Sequence, residues 1–241
     1  MYRYASFVSI TIIFLFVILI SSPVYSRDNT IVATVFDLEI RRGDVIESKS
    51  KSIYFLLMPK VFSEYKKTNN INVSEADIDK YIIGNRKIKE KFFEDSKREL
   101  KELYLATKNV KEYSKEWEKA VSRTIFLENI IKSEDKMKSK DIKDKKHRKN
   151  VSQYLEKWKI DKSIYKKYKG RIAIKELFHE PIDAYYKLLK EYKQKGHIEI
   201  HDSTIEDMFW SYFENSSNHI FIDDSENSEN ILLKPDWLGR K

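Results

Sequence analysis

Glycine and proline are the scarce residues of this 241-residue chain, with only 5 and 4 copies. A sandwich or barrel of many short strands needs a supply of turn residues that this chain does not have. With 41% hydrophobic and 35% charged residues, the chain can build a core and still cover long helices with charge. The expected fold is therefore mainly α, with one or two short β-strand pairings.

The amino terminus carries an export pattern. Arg3 precedes residues 7–20, which contain no charge, and Ser21, Ser22 and Pro23 break the apolar run. Val24-Tyr25-Ser26 offers a cleavage point with small or tolerable residues at the required spacing. Residues 1–26 thus read as a signal peptide. The run is short beside the ~20 residues of a spanning helix, so cleavage is favoured over an uncleaved membrane anchor. The expected location is the periplasm or the cell exterior. No cysteine is present, so stability must come from burial. The whole chain has net charge +8, from 46 Lys and Arg against 38 Asp and Glu; cleavage would remove Arg3 and no acid, leaving +7. This excess suits peripheral contact with anionic lipid head groups, although a lysine-rich solvated surface explains it as well. With export, no nucleic-acid partner is expected.

Local signals divide the remainder. Ile31–Val35 reads as a strand and Leu38 to Ile40 as its return. Asp44 reads as the cap of a helix containing Ile53-Tyr54-Phe55-Leu56-Leu57-Met58, which Pro59 should kink or end. Ser74 and Asp77 form a capping box, with Val73 and Ile78 as its staple, and Gly84-Asn85 should end that helix. Apolar stripes follow at Ile88, Phe92, Leu100 and Leu103, then at Tyr113, Trp117, Ala120, Thr124, Leu127 and Ile131. Residues 132–150 are dense in charge and read as a linker or an exposed helical extension. Order resumes at residues 151–222, a helical region expected to pack on residues 27–131. Pro181 opens one of its helices, the stretch from His197 to His201 alternates like a strand, Ser203 with Glu206 reads as a second capping box, and Ile220 to Ile222 as a last strand. Residues 223–241 read as a mobile tail that Trp237 would anchor.

Val32-Ala33-Thr34-Val35, Glu39-Ile40 and Asp44-Val45, followed by Phe62-Ser63-Glu64-Tyr65 and by the run from Asn70 to Ile82, carry a family resemblance. Over residues 31–83 the chain resembles the amino-terminal domain of the SurA-type periplasmic chaperones and PrsA-like foldases. The resemblance implies a multi-helix chaperone-type domain. Phe36-Asp37 stands where that family has an Asn-Gly-like pair, so a tight two-residue turn is not predicted here. The family's parvulin-type isomerase unit needs a glycine-rich stretch, whereas Gly43, Gly84, Gly170, Gly196 and Gly239 are isolated. The resemblance therefore implies the chaperone half without prolyl isomerase chemistry.

Candidate chemistry is sparse. His197, Glu199 and His201 would share one strand face, a donor set for zinc, yet alternate strand residues lie ~6.8 Å apart and a plain solvent face is the stronger reading. His179-Glu180 has the residue types of an acid–base pair, with Glu180 better explained as charge at a helix start. The chain contains no Gly-x-Ser-x-Gly, His-Glu-x-x-His or phosphate-loop motif. No cofactor, metal site or catalytic residue is expected. The segment 168–185 looks like a defined motif without an assignable role. The functional expectation is a non-catalytic, exported chaperone-like protein that binds unfolded or extended segments of other exported polypeptides. Leu56, Met58 and Phe62, around the proline of the first helix, are the candidate binding residues, with a core role as the competing reading. The alternatives are an adaptor for one folded envelope partner and a divergent prolyl isomerase or metal-dependent enzyme.

Overall fold

β1 (Ile31–Val35) turns directly into β2 (Leu38–Arg41), and the first strand pairs on its other edge with β5 (Ile198–Ile200), both antiparallel. This computed structural model describes residues 28–45, 50–108, 110–138, 144–175, 179–222 and 230–239. The export pattern lies outside them. Among the described residues no helix is long and apolar enough to cross a membrane.

The hairpin corrects one expectation. Val35 pairs with Leu38, so Phe36-Asp37 is a two-residue turn. Phe36 adopts φ 53°, a conformation usually left to glycine or asparagine. Tertiary contacts hold it there: its N–H donates to the His197 carbonyl at 2.7 Å, and its ring stacks on His197 at 4.9 Å and meets Tyr192 edge-on at 5.2 Å.

A 3-10 turn (Arg42–Asp44) follows, in which Asp44 accepts from the Arg41 N–H. Helix α1 (Ser50–Thr68) starts later than the sequence predicts and runs through Pro59 without ending. Pro59 forfeits the bond to the Phe55 carbonyl, but both residues lie on the solvent face, where losing a helical bond costs least. The opposite face, through Ile53, Leu57, Val61 and Tyr65, is core.

Helix α2 (Glu75–Thr107) opens on the predicted capping box. The Ser74 N–H donates to Asp77 Oδ2 at 2.8 Å, and the Asp77 N–H donates to Ser74 Oγ at 3.1 Å. Gly84 does not end this helix, which continues for 33 residues, about 50 Å. Helix α3 (Lys115–Lys138) returns along α2 and packs chiefly on it. The two form a long hairpin whose far half stands away from the body. Helix α4 (Lys145–Tyr168), capped by Asp144, crosses the base of α2. There Lys159 reaches Asp77 and the Asn72 carbonyl, both at 2.7 Å, and Arg148 pairs with Asp79 at 2.7 Å and with Glu75.

A second small sheet has the order β4 (His179–Glu180), β3 (Ala173–Ile174), β6 (Ile220–Phe221). The unassigned segment 168–185 serves this corner. Gly170 sits at φ 119°, where a Cβ would meet that of Asp183 at 2.4 Å, and Arg171 forks onto the Asp183 carboxylate from its side chain while donating its own N–H to it. Helices α5 (Ile182–Gln194) and α6 (Ser203–Glu214) complete the body. Asp202, not Ser203, caps α6, accepting from the Ile205 N–H at 3.0 Å. The main core joins β1, α1, α4, α5 and α6 through residues such as Val35, Leu57, Ile164, Leu188 and Phe209. The fold is mainly α with short antiparallel strand pairs.

Candidate binding groove

The central turns of α2 expose large apolar side chains to solvent. Ile83, Ile88 and Phe92 are 50%, 40% and 51% exposed; Ile88 and Phe92 lie one helical turn apart, whereas Ile83, nine residues before Phe92, stands on the other side of the helix. They line an open groove of about 1090 Å³ along α2. Lys80, Lys87 and Lys91 fall between Ile83 and the Ile88–Phe92 pair around the helix and bring positive charge into the lining, and Asp79, Asp95 and Asp236 add acids. Its end wall is the carboxy-terminal 3-10 turn (Asp236–Leu238) with Gly239.

That wall is fixed by a cluster between α2 and α4. Trp237 is 8% exposed and packs with Ile78, Ile82, Val151 and Leu155. Its ring meets Tyr81 at 5.1 Å and Trp158 at 4.9 Å, both near edge-on. Gly84 makes the approach feasible, since a Cβ there would stand 2.0 Å from the Trp237 carbonyl oxygen. Leu232, also buried, packs with Tyr165 and Ile172. Described residues of the expected mobile tail are thus docked, with Trp237 as the anchor.

The sequence-chosen residues lie elsewhere. Met58 is 2% exposed in the main core, and Leu56 and Phe62 are half-buried against it. Phe62 packs on Tyr185 of α5 beneath Lys157 of α4, and the helix as a whole packs chiefly on α6, so these three side chains belong to the core and its margin. The exposed member of that apolar run is Phe55. Ile88 and Phe92 were visible in the sequence as part of an amphipathic stripe with Leu100 and Leu103, and Ile83 was not. What the sequence lacked was any sign that no helix would cover them.

Phe62 leads to a buried polar cluster. Lys157 Nζ stands 4.8 Å from its ring centroid, contacts both Asp161 oxygens at 2.6 and 2.7 Å, and donates to the Tyr185 hydroxyl at 2.6 Å. Burial pushes the Asp161 carboxyl up to about 6, against the pull of Lys157. Burial likewise raises the phenols of Tyr185 and Tyr54. Tyr54 donates to Glu180 at 3.4 Å. These contacts tie α4 to α5 and α1 to β4. Asp161, Tyr185, Tyr54 and Glu180 are buried and satisfied by one another and by the part-exposed Lys157, as buried polar groups in a core must be.

The other chemical candidates are parted or occupied. His179 and Glu180 are neighbours on a strand and so point to opposite faces. His201 Nε2 lies 3.1 Å from Thr34 Oγ1, and His197 stacks on Phe36. Among the described residues no group of three His, Cys, Asp or Glu side chains is placed to hold a metal ion. Comparison of the chain with protein-family models, with curated proteins and with solved structures finds no match.

Proposed function

We propose that this protein is an exported, non-catalytic chaperone-like protein that binds extended, unfolded segments of other exported polypeptides along the α2 groove. The observation that carries this reading is the exposed pair Ile88 and Phe92, one helical turn apart, which with Ile83 across the helix lines an open groove. Leaving large apolar side chains in water costs roughly 1.5–3 kcal/mol each relative to burial, so an apolar client segment gains affinity there without a deep pocket. The lysines of the lining suit acidic or carbonyl-rich client backbone. The resemblance of residues 31–83 to the SurA and PrsA chaperones, and the apolar run of residues 7–20, support an envelope role.

The test is aggregation suppression. The mature protein should slow aggregation of several unrelated, chemically unfolded polypeptides, and a variant carrying Ile83→Asp and Phe92→Asp should lose that effect while keeping its helical circular dichroism. Failure with every client would remove the proposal. A second reading, an adaptor for one folded partner, draws on Leu105, Ile125 and Phe126, which are more than half exposed on the α2–α3 hairpin. Inactivity towards unfolded clients, together with tight binding of one folded envelope protein, would favour it.

A further inference from the structure

We infer that the α2 groove selects among extended polypeptides by charge, and that its preferred occupant is a segment whose carboxylates sit among apolar side chains. This rests on the polypeptide-binding reading above and names the substrate class of the same groove.

The charge in the lining is one-sided. Lys80, Lys87 and Lys91 are exposed and, seven and four residues apart, project from one strip of α2. Among the described residues none of the three has an ion-pair or hydrogen-bond partner. Two acids of the same lining are committed to other cations, Asp79 to Arg148 at 2.7 Å and Asp95 to Arg98 at 2.6 Å. Lys87 and Lys91 stand one turn apart, so two like charges repel along the helix with no anion between them. An incoming carboxylate relieves that repulsion.

The lysine strip runs between two apolar flanks, Ile83 on one side and Ile88 with Phe92 on the other. An occupant lying along it meets ammonium groups along its middle and hydrocarbon at its edges. Acids at alternate positions of an extended chain are ~6.8 Å apart, close to the ~6 Å that α2 rises between Lys87 and Lys91. A lysine-rich segment makes the same apolar contacts but sets like charges against the strip. A flat anionic membrane fits less well. The carboxy-terminal turn stands over Gly84 and walls off one end of the strip, and Asp79 and Asp236 border it.

Two fluorescein-labelled peptides, titrated into the full mature protein, test this. They share their leucines and phenylalanines and differ only in carrying glutamate or lysine at two alternate positions between them. The glutamate peptide should bind about tenfold more tightly in dilute buffer, as expected when two exposed ion pairs replace two repulsions. The gap should close in about 0.5 M salt. Lys87→Met with Lys91→Met should lose the preference, and Lys87→Glu with Lys91→Glu should reverse it. Both pairs lie on an exposed helix face and use good helix formers, so helical circular dichroism should be kept. Should either variant lose helix content, the salt dependence of wild type decides. Equal binding of the two peptides by wild type overturns the inference, as does a preference that survives both folded variants. If that equal binding is abolished by Phe92→Asp, charge selection falls and the groove stands. If neither peptide binds and no client is protected from aggregation, the groove falls with it. Sedimentation with phosphatidylglycerol vesicles that the methionine variant loses, without any peptide preference, overturns the inference in favour of a lipid surface.

Discussion

The Tyr185 hydroxyl donates to Asp161 Oδ1 at 2.5 Å, and both residues are enclosed by the core. Asp161 also takes both of its oxygens to Lys157, so one carboxyl group links α4 to α5. Because burial raises it from 3.8 to about 6, the folded protein holds this proton more tightly than the unfolded chain. Its contribution to stability is fully present below the unfolded value and is lost as pH rises through about 6. Asp161→Asn removes the titration. Between pH 4 and 7 the unfolding free energy of wild type should fall by roughly 2 kcal/mol relative to that variant, measured by urea denaturation. A difference that does not vary with pH contradicts this.

Gly84→Ala tests packing against propensity. In an isolated helix the change is worth ~1 kcal/mol in favour of alanine. Here the added methyl meets the Trp237 carbonyl at 2.0 Å. The expected outcome is a net loss of about 1–3 kcal/mol, as for an overpacked site, read from the denaturation midpoint. A gain in stability would mean that the tail does not rest on α2.

Ser74→Ala removes the acceptor for the Asp77 N–H and should cost about 1 kcal/mol. Asp77 is held down to about 2 by Lys159 and by the Ser74 backbone and hydroxyl. Its folded value lies below the unfolded one, so its contribution is present above about 3.8 and is lost as pH falls through about 2. Acid titration of wild type and Lys159→Met should separate in that window, with the variant less sensitive to acid.

Met58→Ala and Phe92→Ala should fail in different assays. Deleting Met58 from the core should cost 2–5 kcal/mol of stability in a denaturation curve. Phe92→Ala, at a half-exposed position, should change stability by less than about 0.5 kcal/mol and lower client binding several-fold. The reverse pattern would return the binding surface to α1.

What the sequence made legible was local. The alternation of Ile31–Val35, the Ser74–Asp77 box and the β-like run at residues 198–200 each depend on neighbours a few positions away, and each formed where expected. Pro59 and Gly84 misled because their surroundings are tertiary. The carbonyl freed by Pro59 lies on the solvent face, and the space over Gly84 is filled from the far end of the chain. Asp161 carries no local signal of burial on a lysine-rich helix, and Tyr185, brought over by α5, holds it in the core. The apolar run at residues 53–58 announced burial but not direction, so Met58 stood as a candidate binding residue beside a core reading, and the stripe with Ile88 and Phe92 was expected to pack on a partner.

Ala33 pairs with Ile200 in the first sheet. A strand that opens the described chain therefore waits for a partner made near its end. Closing so long a loop is slow, whereas the α2–α3 hairpin depends on contacts between neighbours in sequence. In a polypeptide delivered amino terminus first, the hairpin matures early and its oily side chains meet solvent before the body has closed. The nascent molecule is then most adhesive, and most in need of protection from its own copies, during the interval before residues 198–200 arrive.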